Sequence, residues 1–135
     1  MSIPARFSIR ARGASFAHAF RGLRFMLRSQ HNARLHVVAT FLVGLFGVGF
    51  HISRVEWCFV ILAMMSVWTA ESFNTAIECV TDLACPEFHS LAGKAKDVAA
   101  AAVLITAFGA AVVGAIVFVP YLYLTIVRLM STSAP

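Results

Sequence analysis

Charged side chains are scarce in this sequence. Only 13% of the 135 residues are Asp, Glu, Lys or Arg, whereas 60% are hydrophobic, and soluble domains typically carry about 25% charged residues. This composition excludes an ordinary soluble domain and predicts an integral membrane protein. The sequence also lacks the GxxxxGK[ST] and GxGxxG segments, which form the phosphate-binding loops of many soluble nucleotide-binding proteins.

Cysteine is also rare, and its spacing excludes a disulfide scaffold. Cys58, Cys79 and Cys85 form no CxxC pair, so we interpret all three as free thiols and predict no cysteine-based zinc site.

The few charges that are present are segregated along the chain. Five of the six acids lie between Glu71 and Asp97, and most arginines precede the first long apolar run. A basic segment next to a membrane span indicates a surface that faces anionic headgroups or phosphates. No nucleic-acid-binding motif accompanies these charges, so we predict no nucleic-acid partner.

The spacing of apolar residues predicts an all-α integral membrane protein. Phe and Leu recur every three or four residues in an N-terminal basic segment, and three apolar runs of membrane-spanning length follow. The predicted elements are a flexible basic N-terminus (1–13), an amphipathic surface helix (14–30), three transmembrane helices (35–50, 55–79 and 98–126), a polar loop (81–97) and a C-terminal tail (131–135).

The positive-inside rule predicts the orientation of these helices. The arginine-rich N-terminus and the loop with Lys94 and Lys96 are expected to be cytoplasmic. The chain is therefore predicted to be a multi-pass membrane protein with a cytoplasmic N-terminus.

A stripe of polar residues interrupts the second predicted span. Glu71, Asn74, Glu78 and Asp82 fall within about 80° of each other on a helix with 3.6 residues per turn. A carboxylate costs on the order of 2.5–3.5 kcal/mol or more at a bilayer centre. Several such groups on one face therefore indicate a functional site.

The chemistry of this stripe suits phosphoryl transfer, although the residues alone leave other functions open. A partly desolvated Glu71 suits a general base, and Glu78 suits Mg²⁺, which takes one or two carboxylates together with phosphate oxygens. Lys94 and Lys96 can meet those phosphates. A membrane kinase, a proton- or ion-handling protein and a structural bundle all remain compatible with this pattern.

Three segments carry a family resemblance: Glu71-x-x-Asn74-Thr-Ala-Ile-Glu78-x-x-x-Asp82, Glu87-x-His89 and Lys94-Ala-Lys96-Asp97. Together they resemble the bacterial diacylglycerol kinase family, including its undecaprenol kinase branch. The resemblance covers residues 14–126 and implies one lipid kinase domain over residues 14–130. It implies a homotrimer whose active sites are shared between subunits at the cytoplasmic interface. It also implies an ATP- and Mg²⁺-dependent kinase that phosphorylates the hydroxyl of undecaprenol or diacylglycerol in envelope lipid recycling. The alternatives are a catalytically silent relative and a proton-handling membrane bundle.

The resemblance also implies roles for individual residues. Glu71 is the expected catalytic base, Glu78 and Gln30 are the expected metal ligands, and Asn74 and Asp82 support the stripe. Gln30 departs from the family, which usually has a Glu there, so weaker metal binding or impaired activity is expected. His31 and His36 we interpret as interfacial polar residues. The expected nucleotide-binding residues are His18, Gln30, Glu78, Glu87, Phe88, His89, Lys96 and Asp97, and the expected lipid-binding residues are Arg24, Glu71 and Ala100.

Overall fold

The structure is a computed structural model that describes residues 9–132, with side-chain environments from Arg12 onward. This part of the chain forms four α-helices: α1 (Ile9–Ser29), α2 (His31–Gly49), α3 (Arg54–Ala84) and α4 (Ser90–Thr132). Helices α2, α3 and α4 are each long and apolar enough to cross a membrane. The predictions of an all-helical chain and of three helices of membrane-spanning length are therefore confirmed.

The helix bounds differ from the predicted ones. Helix α1 begins at Ile9 rather than at residue 14, so residues 9–13 of the segment predicted as flexible are helical. Because α3 continues to Ala84 and α4 begins at Ser90, the predicted polar loop of 81–97 is reduced to residues 85–89. The remainder of the predicted flexible N-terminus (1–8) and residues 133–135 of the predicted tail lie outside the described residues.

Residues from the two ends of the predicted loop pair with each other across α3 and α4. The Lys96 ammonium forms an ion pair with the Asp82 carboxylate, which joins the last turns of α3 to the first turns of α4. Pro86 follows the end of α3 and lacks the backbone N–H that a continuing helix needs. We call residues 85–89 the loop end of the bundle.

The opposite end of the bundle is a tight turn of residues 50–53, which we call the turn end. His51 adopts a left-handed conformation there, with φ of 53°. Ser53 caps α3: its hydroxyl accepts a hydrogen bond from the Glu56 backbone N–H at 3.3 Å, and the Glu56 carboxylate accepts one from the Ser53 N–H at 2.7 Å. This reciprocal capping box fixes where α3 begins.

The apolar core lies in the half of the bundle nearest the turn end. Ile52, Val60, Val117 and Phe118 are buried together, and the Tyr121 hydroxyl donates a hydrogen bond to the Glu56 carboxylate at 3.0 Å. Helix α4 is thereby held against the start of α3. The polar stripe occupies the other half of α3, so the core and the candidate site are separate along the bundle.

Gly47 allows α2 to approach α3 closely, and its replacement by Ala is expected to destabilise the bundle. A Cβ at this position would lie 2.6 Å from two ring atoms of Trp57, whereas a Cβ at Gly44 would meet nothing within 4 Å. Overpacking of this kind typically costs about 1–3 kcal/mol. We expect Gly47→Ala to lower the Tm of the purified protein in detergent. Gly44→Ala, in the same helix, should leave the Tm unchanged or higher, and an equal Tm for the two variants would contradict this account.

Large apolar side chains cover the outside of the single chain. Those on α4 include Leu104, Ile105 and Phe108, each at least 70% exposed, and those on α3 include Leu62 (66%) and Phe73 (67%). Such faces are compatible with lipid or with neighbouring subunits, because both are apolar environments for a transmembrane helix.

Candidate active site

Glu71 is the most deeply buried charged side chain among the described residues. Its side chain is 1% exposed, and neither carboxylate oxygen has a hydrogen-bond partner within the described part of the chain. Buried polar groups in native proteins are nearly always hydrogen-bonded, because desolvation is costly otherwise. An acid kept in this environment is better explained by a function than by a contribution to stability.

Glu78 lies two turns further along α3, where two amides hold its carboxylate. The Asn74 side-chain amide donates to Oε1 at 2.9 Å, and the Gln30 side-chain amide donates to Oε2 at 2.5 Å. Asn74 is four residues before Glu78 and therefore lies on the same helix face. The Glu78 carboxylate is half-buried and oriented by donors from two directions.

The position of Gln30 follows from the corner between α1 and α2. Gln30 is the N-cap of α2, with an extended backbone (φ −100°, ψ 122°). The Arg34 guanidinium donates to the backbone carbonyls of Leu27 at 3.2 Å and Arg28 at 2.7 Å, so it satisfies carbonyls at the end of α1. This corner directs Gln30 toward α3 and joins the N-terminal helix to the stripe.

A small hollow at the loop end is lined by four of the eight residues expected to bind nucleotide, namely Glu87, Phe88, His89 and Lys96. It has a volume of about 230 Å³. Phe88 is 97% exposed, and the His89 Nδ1 atom accepts a hydrogen bond from the Leu91 backbone N–H at 3.2 Å. The lining includes Asp82, Glu87, Phe88, His89 and Lys96.

Four other predicted site residues are not joined to this arrangement within the single chain. His18 and Arg24 lie on the exposed surface of α1, where His18 is hydrogen-bonded to the Arg21 guanidinium at 2.7 Å. Asp97 and Ala100 are exposed on α4. Among the described side chains, no hydrogen bond or ion pair connects any of the four to Glu71 or Glu78.

The structure adds a residue that the sequence analysis did not assign to the site. His36, interpreted from the sequence as an interfacial residue, is half-buried and packs edge-on against Trp68 of α3, with ring centroids 6.4 Å apart. Its Nε2 atom is buried and has no hydrogen-bond partner among the described residues, as is also true of the Glu71 carboxylate. A signal was present in the sequence: His36 and Thr40 are four residues apart, so they place two polar groups on one face of an apolar helix.

The donor set at Glu78 fits Mg²⁺ only if a nucleotide supplies further oxygens. No group of three or more His, Cys, Asp or Glu side chains that would hold a metal occurs among the described residues. Mg²⁺ is commonly bound by one or two carboxylates plus phosphate oxygens and water. The Glu78 carboxylate meets that requirement, and the Gln30 side chain offers an amide oxygen once its amide group rotates away from its present hydrogen bond.

Comparisons with known proteins identify the family of this chain. A family model described as prokaryotic diacylglycerol kinase matches residues 17–118. An undecaprenol kinase from Bacillus subtilis is 36% identical over 108 residues, which cover 80% of this chain and 88% of that protein. A diacylglycerol kinase from Synechocystis sp. is 34% identical over 107 residues, covering 78% of this chain and 61% of that protein. A diacylglycerol kinase from Escherichia coli is 33% identical over 88 residues, covering 65% of this chain and 72% of that protein. The extent of these matches shows that the chain belongs to the prokaryotic diacylglycerol kinase family.

Proposed function

We propose that this protein is an ATP- and Mg²⁺-dependent kinase that phosphorylates the hydroxyl of a membrane lipid, either undecaprenol or diacylglycerol. The observation that carries the proposal is the buried Glu71 carboxylate, which lies on the same helix face as Glu78. Neither of its oxygens has a hydrogen-bond partner among the described residues. The names of the relatives support both lipid alcohols as candidates. In either case the product would re-enter the lipids of the cell envelope.

In the proposed reaction, Glu71 accepts the proton of the lipid hydroxyl. The hydroxyl oxygen forms a bond to the γ-phosphorus, the bond between that phosphorus and the β–γ bridging oxygen breaks, and ADP leaves. Seven residues of helix separate Glu71 from Glu78, which corresponds to about 10.5 Å along the axis. This distance prevents the two carboxylates from sharing a proton and leaves room between them for the hydroxyl and the phosphoryl group.

The remaining roles follow from charge and position. Glu78 and Gln30 would hold Mg²⁺, which neutralises phosphate charge when it is bound. Lys96 would contact the phosphates after leaving Asp82, its partner in the free protein. Glu87, Phe88 and His89 line the loop-end hollow and would surround the nucleotide base.

An apolar cavity supports a lipid as the acceptor. It has a volume of about 340 Å³, lies between α2, α3 and α4, and extends from His36 and Trp68 toward Phe118. Its walls are almost entirely apolar, which suits a hydrocarbon chain rather than a water-soluble alcohol.

We further propose that the active enzyme is a homotrimer in a bacterial plasma membrane, with the N-terminus and the loop end in the cytoplasm. The basic residues of α1 and the Lys94 and Lys96 pair support this orientation. The exposed apolar faces of α3 and α4 support contact with other subunits. Partner subunits would bring His18, Arg24, Asp97 and Ala100, which the single chain leaves apart, to shared nucleotide and lipid sites.

The test is the transfer of labelled phosphate from Mg-ATP by the purified full-length protein in mixed micelles. Diacylglycerol and undecaprenol are supplied separately and then together at equal mole fraction. We expect phosphorylation of at least one lipid, and the competition identifies the preferred one. Absence of transfer to either lipid by folded protein at saturating Mg²⁺ would contradict the proposal and favour a catalytically silent relative.

Gln30→Glu is expected to strengthen Mg²⁺ binding. The substitution adds a carboxylate next to the one at Glu78, which lies 2.5 Å from the present amide, and a charged ligand attracts the cation more strongly than an amide oxygen does. We expect the Mg²⁺ concentration for half-maximal activity to fall severalfold at fixed ATP. In the absence of metal the two carboxylates would repel each other, so the Tm of the variant should depend more on Mg²⁺ than that of the wild type. An unchanged Mg²⁺ dependence would show that position 30 is not a metal ligand.

A further inference from the structure

His36 is fixed in place by an aromatic and polar cluster between α2 and α3. Its ring packs against Trp68 at an interplanar angle of 67°, and the Trp68 indole N–H donates to the Thr40 hydroxyl at 3.0 Å. Because His36 and Thr40 are separated by one turn of α2, the two contacts set the register between the helices. The imidazole therefore has a defined position rather than a free choice of rotamers.

That position leaves two complementary groups without partners. Among the described residues, the buried Nε2 atom of His36 has no hydrogen-bond partner, and the same is true of both carboxylate oxygens of Glu71. Trp68 and Glu71 are three residues apart on α3, so they are neighbours on the same face, and His36 packs on the first of them. An imidazole N–H is a donor, whereas an ionised carboxylate is only an acceptor.

The charged groups around Glu71 leave His36 as the available donor. Glu78, on the same helix face as Glu71, is an acceptor already engaged by Gln30 and Asn74. The Arg34 guanidinium is directed to the end of α1, and Lys96 is paired with Asp82.

We propose that His36 is a positioning residue for Glu71. Its Nε2–H donates to one Glu71 oxygen when the lipid is bound, so the other oxygen faces the lipid hydroxyl. This inference rests on the proposed function, in which Glu71 is the base. Hydrogen bonds of catalytic groups often become short only in the substrate complex, which is consistent with two unpartnered groups in the free protein.

The kinetic test compares two variants that distinguish the hydrogen-bond donor of His36 from its aromatic ring. His36→Phe keeps an aromatic ring against Trp68 but has no N–H, whereas His36→Gln loses the ring and keeps an N–H donor. Loss of a side chain that orients a metal ligand typically lowers affinity or activity by about 10–100-fold. We expect a kcat decrease of similar size for His36→Phe, which loses a side chain that orients the base, with an unchanged KM for ATP. His36→Gln should recover most of the lost kcat. Thr40→Val, which removes the acceptor for Trp68, is the control for disturbed packing and should lower the Tm without a comparable loss of kcat.

A second measurement does not depend on catalysis. The ¹⁵N chemical shifts of the His36 ring are compared between the full-length wild type and Glu71→Gln in the same mixed micelles, with diacylglycerol and with undecaprenol present in turn. We expect the Nε2 resonance to move when the carboxylate is replaced, and the His51 ring, at the turn end, to be unaffected. An unmoved His36 resonance would overturn the pairing, as would wild-type kcat in His36→Phe or equal losses in His36→Phe and His36→Gln. If the wild type phosphorylates neither lipid, the proposed function fails, and the chemical shifts still decide whether the pair exists.

Discussion

Glu71→Gln should reduce phosphoryl transfer by about 10²–10⁴-fold, the usual contribution of a positioned general base. Gln has nearly the shape of Glu but cannot accept the proton of the lipid hydroxyl. The wild-type carboxylate is 1% exposed and has no donor among the described residues, so its replacement by a neutral amide removes an uncompensated buried charge. We therefore expect the variant to be at least as stable as the wild type while it loses kcat.

A loss of kcat without a loss of stability distinguishes a catalytic carboxylate from a structural one. The measurement is kcat for lipid phosphorylation together with the Tm in the same detergent. Glu56→Gln is the matched control, because Glu56 lies in the same helix but at the turn end, where it caps α3 and accepts a hydrogen bond from Tyr121. It should lower the Tm and leave kcat unchanged. Wild-type kcat in Glu71→Gln would remove Glu71 from the mechanism, and a large drop in its Tm would show that the carboxylate stabilises the bundle.

The features that could be predicted from the sequence are those set by spacing along one helix. The period of 3.6 residues placed Asn74 and Glu78 on one face, and the structure shows them hydrogen-bonded at 2.9 Å. The lengths of the apolar runs similarly predicted three helices of membrane-spanning length. Local geometry is sufficient in both cases, since no information about another helix is needed.

The features that could not be predicted depend on the register between helices. The residues themselves do not indicate that Thr40 lies opposite Trp68, and without that contact the position of His36 near the start of the first span indicates only an interfacial residue. The extent of the loop also differs from the prediction: residues 81–97 were expected to form a loop, whereas most of them belong to α3 and α4, and Lys96 of α4 pairs with Asp82 of α3. Contact between Gln30 and Glu78 was suggested only by the family resemblance, because 48 residues separate them in sequence.

Glu78→Gln is expected to have the second largest effect, because it removes the carboxylate that fits Mg²⁺. The fold should tolerate the change. The oxygen of a Gln at position 78 can still accept the hydrogen bond from the Asn74 amide, but its NH2 group would face the NH2 group of Gln30. Rotation of the Gln30 amide presents its oxygen instead, so that the two side chains form a hydrogen bond. Charge stabilisation by a metal ion is worth several kcal/mol in phosphoryl transfer, which corresponds to about 10²–10³-fold in rate. We expect kcat at physiological Mg²⁺ to fall by that factor while the Tm changes little.

A charge-exchange variant tests whether positions 30 and 78 act as one metal site. Gln30→Glu combined with Glu78→Gln keeps one carboxylate and one amide at the same contact, with their positions reversed. If both side chains bind the same ion, the double variant should recover part of the activity that Glu78→Gln loses, and its activity should rise with added Mg²⁺. The buried Asn74 amide donates to position 78 in the wild type and would still find an oxygen there, so recovery does not require a new fold.

Wild-type Mg²⁺ dependence in Glu78→Gln alone would exclude Glu78 as a ligand. A double variant no more active than Glu78→Gln would show that the carboxylate must project from α3, on the same helix face as Glu71.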